Sequence, residues 1–166
     1  MANASFTACR LGALGLGLAA VFGCSAAAPA DAAPLSLTLT MKPYRGNPAY
    51  AAVYVLGPRG EYVSTLHVAG NRARYQADLT RWHRLMQRSG RGIDGTTGAS
   101  AGAGRRVTTT VNVPDRLLNA GYTLHVETAV ENGRSYPNDV TMPLDNAHMG
   151  RATAGTGYVA TLTLRR

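Results

Sequence analysis

Asp94 and Ser100 bracket the stretch of this chain whose residue types are best suited to chemistry. Two small residues, Gly98 and Ala99, immediately precede the Ser100 hydroxyl. A hydroxyl that must enter the active site of a modifying enzyme needs small neighbours and an exposed, flexible loop, because bulky side chains would block its approach. The small residues before Ser100 would leave its hydroxyl open to such an approach. The alternative is a plain connecting loop, which Gly, Thr and Ser usually indicate.

Other patterns that would indicate catalysis or metal binding do not occur in the sequence. The histidines stand apart and show no metal-ligand spacing. The sequence contains neither a nucleophile elbow nor a pair of carboxylates typical of glycosidases. We therefore predict no metal site and no catalytic residues, and we expect a carrier or a binding module rather than an independent enzyme.

The first 32 residues predict a signal peptide. An unbroken apolar run over residues 11–23 follows a single arginine, and this run is too short to span a bilayer comfortably. Small residues over 26–33 offer cleavage sites, so we expect a periplasmic protein with no transmembrane segment after cleavage. The alternative is a lipoprotein anchored at Cys24, because the residues before this cysteine loosely resemble a lipobox.

Composition narrows the classes of partner. Both cysteines, Cys9 and Cys24, lie in the leader, so the exported part has no disulfide. The chain has 17 basic and 9 acidic residues, for a formal net charge of +8. A basic chain often binds nucleic acid, but an exported one rarely meets any. We expect instead an anionic lipid, a cell-wall polymer or a cofactor that carries phosphate.

Alternating apolar residues predict a mainly β fold for residues 33–166. Asn132-Gly133 is a strong hairpin signal, and two prolines place the strand that follows it at a sheet edge. Short strands separated by turn signals predict an immunoglobulin-like antiparallel β-sandwich in a single domain. Seven segments show this pattern: 35–41, 50–56, 62–68, 106–113, 121–130, 135–144 and 157–164.

A helical period interrupts the strands and predicts one inserted helix over about 71–89, with Asn71 as its N-cap. Tyr75, Leu79, Trp82 and Met86 share one face, which indicates core packing. The alternative is that Trp82 and Tyr75 stack on a planar heterocycle.

The same helix has a basic face, and a glycine-rich segment follows it. Arginines 74, 81, 84 and 88 would lie in solvent, neutralise a phosphate or contact an anionic membrane. The segment over 90–104 contains six glycines and predicts the loop that carries Ser100.

The segment DGTTGAS, residues 94–100, resembles the acceptor motif of ApbE-type flavin transferases, D-x-x-[ST]-G-A-[ST]. In that motif the last hydroxyl is esterified to the phosphate of FMN. The resemblance implies that Ser100 carries covalent FMN and that an ApbE-type flavin transferase is a partner. It also implies cofactor-binding roles for the matching residues Asp94, Thr97, Gly98 and Ala99.

A wider resemblance covers residues 35–164. It is carried by the order of LSLTLTM, YVSTL, a helix with RW, DGTTGAS and AGYTLHVETAVENG. This order resembles exported proteins of unknown function found beside PepSY-type membrane proteins, and the second half is similar to the immunoglobulin-like domain of the flagellar hook-scaffold protein FlgD. The resemblance implies a place in an extracytoplasmic electron-transfer or iron-related system, with a PepSY-type membrane protein as a partner. The alternative is a non-catalytic immunoglobulin-like binding module of the cell envelope.

Overall fold

A computed structural model describes residues 32–70, 72–93 and 95–166 of the chain. Residues 1–31 of the predicted signal peptide, the proposed cap Asn71 and the motif residue Asp94 lie outside the described residues. The described chain forms two β-sheets packed face to face, with a short helical insertion, and this confirms the predicted mainly β sandwich.

The described strands are β1 (Ala32–Met41), β2 (Tyr50–Leu56), β3 (Tyr62–Ala69), β4 (Thr96–Gly98), β5 (Arg106–Pro114), β6 (Thr123–Ala129), β7 (Ser135–Pro143), β8 (Ala152–Ala154) and β9 (Val159–Arg165). They form two sheets of four and five strands, in the orders β5-β1-β9-β8 and β4-β3-β2-β6-β7. Neighbouring strands are antiparallel except β3 and β4, which are parallel. Two strands were not predicted, β4 and β8, because three residues are too few to show an alternating pattern.

The main core lies between the sheets, where alternate residues of each strand point inward. Leu35, Leu37 and Leu39 of β1 meet Leu162 and Leu164 of β9 in this layer. Strand β2 differs from the others because all seven of its residues are buried. A strand buried on both faces requires a second covering layer on the outside of the five-stranded sheet.

Helices α1 (Ala73–Gln76) and α2 (Thr80–Ser89) supply this covering layer. Leu79 and Trp82 are fully buried against Tyr54 and Val68 of the outer sheet face. The Trp82 indole N–H also donates to the Thr65 hydroxyl at 2.9 Å. The prediction that this helical face belongs to the core is confirmed for both residues, and complete burial excludes Trp82 from stacking on a flavin.

The predicted single helix over 71–89 differs from the structure, which divides it into α1 and α2. Leu79 leaves helical geometry, with φ −81° and ψ 69°, and stands at the N-cap of α2. The fully buried Glu127 of β6 accepts hydrogen bonds from the backbone N–H groups of Arg81 at 3.1 Å and Trp82 at 2.6 Å. This carboxylate satisfies two of the donors that a helix start leaves unpaired.

Burial has a measurable consequence for Glu127. It raises the pKa of this carboxyl group above its usual value, while the bonds from Trp82 and Arg81 and the charges of Arg81 and Arg84 act in the opposite direction. The two backbone N–H groups at the start of α2 therefore hold the Glu127 carboxylate in place and offset part of the cost of burying it.

We expect Trp82→Ala to lower the free energy of unfolding by about 3–5 kcal/mol, because it empties a buried site and removes the hydrogen bond to Thr65. Urea denaturation followed by circular dichroism measures this change. Gln87→Ala, at an exposed position of the same helix, is the control and should change stability by no more than about 0.5 kcal/mol. Equal effects of the two substitutions would contradict this packing.

A second prediction concerns His125, on the same outer face of the sheet. Its ring nitrogens contact the hydroxyls of Thr123 at 3.0 Å and Thr141 at 3.3 Å. Burial, and then the charge of Arg81, lower the pKa of His125 from 6.5 to about 4. The unfolded chain therefore binds more protons between these two values. The neutral His125 ring therefore makes its full contribution to stability above about pH 6.5. As the pH falls towards 4, the free energy of unfolding decreases by on the order of 2–3 kcal/mol.

Denaturation of wild type and His125→Asn across this pH range tests the assignment. The stability difference between the two proteins should shrink on acidification, because only the wild type carries this titrating group. A difference that stays constant with pH would contradict the lowered pKa.

Candidate functional site

The predicted acceptor segment adds a strand to the edge of the five-stranded sheet. Strand β4 pairs in parallel with β3, with Thr96 opposite His67 and Gly98 opposite Ala69. The predicted loop over 90–104 therefore contains an ordered strand. A parallel pair needs a crossover connection, and the two helices provide it on their way from β3 to β4.

Ser100 lies between two fixed points of the backbone. On one side, the Gly70 N–H donates to the Gly98 carbonyl at 2.8 Å. On the other, Ala101 and Ala49 exchange two backbone hydrogen bonds of 2.8 Å. The Ser100 side chain is partly exposed. The expected free loop is thus a short anchored segment in which Ser100 remains partly exposed.

Gly95 has a packing role in placing β4. The β2–β3 register passes from His67 to Thr65 and leaves Leu66 as an extra bulged residue. A Cβ added to Gly95 would lie 2.5 Å from both the carbonyl carbon and the oxygen of Leu66. Only glycine allows the chain to approach β3 this closely, so the bulge and the glycine together set the position of the acceptor segment.

A groove of about 640 Å³ opens between the edge strands β4 and β5 of the two sheets. The structure brings four of the five predicted site residues into it, and the fifth, Asp94, lies outside the described residues. The lining residues are Pro48, His67, Thr96, Thr97, Gly98, Ala99, Ser100, Gly102, Arg105, Arg106, Val107, Thr108 and Thr109.

The charges around this groove are positive. Arg105 and Arg106 are exposed, and neither forms an ion pair with a described carboxylate. None of the described lining residues is acidic. The sequence interpretation missed this pair, although the two arginines follow the glycine-rich segment directly. The arrangement is suited to an anionic ligand.

His67 is the buried polar group of the groove and was also missed, because nothing near it in the sequence indicates a partner. It is only 5% exposed. Its Nδ1 atom lies 2.9 Å from the Thr96 hydroxyl, whereas its Nε2 atom has no hydrogen-bond partner among the described residues. Burial lowers the pKa of His67, and its hydrogen bond to Thr96 opposes that effect.

The basic face of the helices lies away from the groove. None of arginines 74, 81, 84 and 88 lines it. The Arg74 guanidinium lies 4.5 Å above the Tyr75 ring, which in turn stacks on Tyr50 with 4.9 Å between ring centres. Tyr75 therefore packs against the protein rather than facing the acceptor segment. The part of the chain that the structure describes contains no cluster of metal-ligating side chains.

These features define a β-sandwich protein with a cationic edge groove around a partly exposed serine. The chain belongs to the family described as predicted periplasmic protein (DUF2271), whose model matches residues 32–161. The expected periplasmic location is confirmed by this membership. No curated protein and no solved structure matches the chain. Over the described residues, neither helix is long and apolar enough to cross a membrane.

The packing of Gly95 generates a test of the site geometry. Gly95→Ala should lower the free energy of unfolding by about 1–3 kcal/mol, because its new methyl group collides with β3. Hydrogen exchange should also show faster exchange of the β4 backbone. Gly92→Ala is the matched control, since an added Cβ there meets nothing within 4 Å. Similar exchange of β4 in both variants would refute the close approach of Gly95 to β3.

Proposed function

We propose that this protein carries FMN covalently, as a phosphate ester of Ser100, and acts as a periplasmic electron carrier. The observation that supports the proposal best is the groove itself. A partly exposed serine, the glycine and alanine before it, and two unpaired arginines share one surface that has no described acid.

The residues present suit the phosphate end of such a cofactor. Arg105 and Arg106 supply positive charge beside the position where the phosphate ester would form. The groove volume of about 640 Å³ lies within the range of about 300–1,000 Å³ for small-molecule sites.

The groove offers less to the ring end of the cofactor. The described lining residues include no phenylalanine, tyrosine or tryptophan, so they offer no large stacking surface for the flavin ring. A covalent bond would replace the affinity that stacking usually provides, and it would leave the ring open to a redox partner. Bound flavin supplies the electron-transfer chemistry, and this chain supplies tethering and charge.

Attachment requires an ApbE-type flavin transferase and FAD. The Ser100 hydroxyl oxygen bonds to the phosphorus on the FMN side of FAD, the bond from that phosphorus to AMP breaks, and AMP leaves. The hydroxyl proton passes to a base on the transferase. A PepSY-type membrane protein is the proposed partner for electron exchange.

The second candidate function is an envelope binding module. It is favoured by the exposed arginines on the helical layer, Arg72, Arg84, Arg88 and Arg91, which form no ion pair with described carboxylates. This surface would contact an acidic partner or an acidic membrane. The groove around Ser100 takes no part in this second function.

Co-expression with an exported flavin transferase tests the first candidate. With FAD and magnesium present, we expect a yellow protein whose intact mass increases by one FMN less one water. Ser100→Ala should abolish the increase, and Ser100→Thr should retain it because threonine keeps the hydroxyl. Asp94→Ala should reduce labelling while circular dichroism stays unchanged.

Thr108→Ala is the matched control, since it removes an exposed hydroxyl from the same groove outside the motif and should leave the label on Ser100. Colour that denaturation removes would indicate non-covalent binding. An unchanged mass with an active transferase would reject the carrier and leave the binding module.

A further inference from the structure

We infer that the groove recognises the phosphate group of FMN through His67 Nε2 together with Arg105 and Arg106, and that Gly98 leaves the room beside the buried His67 ring that this contact needs. The inference rests on the proposed function for the identity of the ligand. It adds a non-covalent binding site that holds the phosphate before the ester forms and afterwards.

The first argument is the hydrogen bonding of His67. Its Nδ1 atom is occupied by Thr96, which fixes the orientation of the ring against β4. Its Nε2 atom is buried and has no described partner. Buried polar atoms in folded proteins nearly always have one, so an unpaired ring nitrogen on a residue that lines a groove indicates a site that a ligand completes.

The second argument is the residue above that ring. A Cβ added to Gly98 would lie 3.3 Å from Cε1 and 3.7 Å from Nε2 of His67. Any side chain at this position would crowd the ring edge that carries the unpaired nitrogen and leave no room for a ligand atom beside it. Gly98 therefore matters for the space around His67 as well as for the access of a transferase to Ser100.

The third argument is charge. His67 and the two arginines line the same groove, and none of the described lining residues offers a competing carboxylate. Phosphate accepts several hydrogen bonds at once and favours arginine, so it is the ligand group that this set of donors fits best. An anion beside Nε2 also favours the protonated ring, so phosphate binding should raise the pKa of His67.

Nuclear magnetic resonance of the exported protein, after removal of the signal peptide and without covalent FMN, tests the inference. The His67 ring nitrogen signals are followed by pH titration with FMN, with inorganic phosphate and with riboflavin. FMN and inorganic phosphate should shift these signals and raise the pKa of His67, whereas riboflavin should do neither. FMN should bind about tenfold more tightly than riboflavin, as expected for hydrogen bonds to a charged group.

Variants identify the contacts. His67→Gln and Gly98→Ala should each remove the preference for FMN over riboflavin. Arg106→Gln, at an exposed position that cannot disturb the core, should weaken FMN binding and keep riboflavin binding. Arg116→Gln removes the same charge from an exposed site outside the groove and should change neither affinity.

The outcomes separate this inference from the proposed function. Covalent labelling at Ser100 without any response of His67 to FMN or phosphate would overturn the phosphate site and keep the carrier. A response of His67 to FMN without covalent labelling would keep the phosphate site and reject the carrier. Equal binding of FMN and riboflavin would overturn the inference directly.

Discussion

The outer face of the five-stranded sheet is apolar, and covering it is the constraint on which the rest of this structure depends. Strand β2 is buried at all seven positions, so the sheet is stable only with a layer on each side. Helix α2 supplies the outer layer through Trp82, and the Glu127 carboxylate fixes where that helix begins. Burying a carboxylate is costly, and here two backbone N–H groups offset part of that cost.

The position of the acceptor segment follows from this covering layer. The chain leaves β3, crosses the outer face as helices and returns beside β3, where a free sheet edge accepts β4. The bulge at Leu66 and the missing side chain of Gly95 bring β4 close to that edge. Because β5 forms an edge of the other sheet, a groove remains between the two edges, and Ser100 lies along it. The folding constraint and the candidate site are thus connected.

The groove differs from an ordinary cofactor pocket in ways that bear on its proposed role. Its described lining consists mainly of hydroxyl, glycine and basic residues and includes no phenylalanine, tyrosine or tryptophan. Such a surface binds an anionic group well and a flat aromatic ring poorly. The proposed covalent attachment through phosphate is consistent with this division, because an ester would replace ring affinity. A ring held in this way would stay exposed, as the proposed exchange of electrons with a membrane partner requires.

The sequence by itself determined seven strands of the sandwich and the apolar face of Trp82 and Leu79, and it suggested Ser100 as an acceptor, because these depend on residues that are neighbours along the chain. Tertiary structure alone decided the break between α1 and α2, the strand β4 and the pairing of His67 with the acceptor segment. The Glu127 cap joins residues 45 positions apart, and His67 reaches Thr96 across 29 positions. No local period encodes such contacts, since they exist only after the sheet has formed and its outer face has been covered.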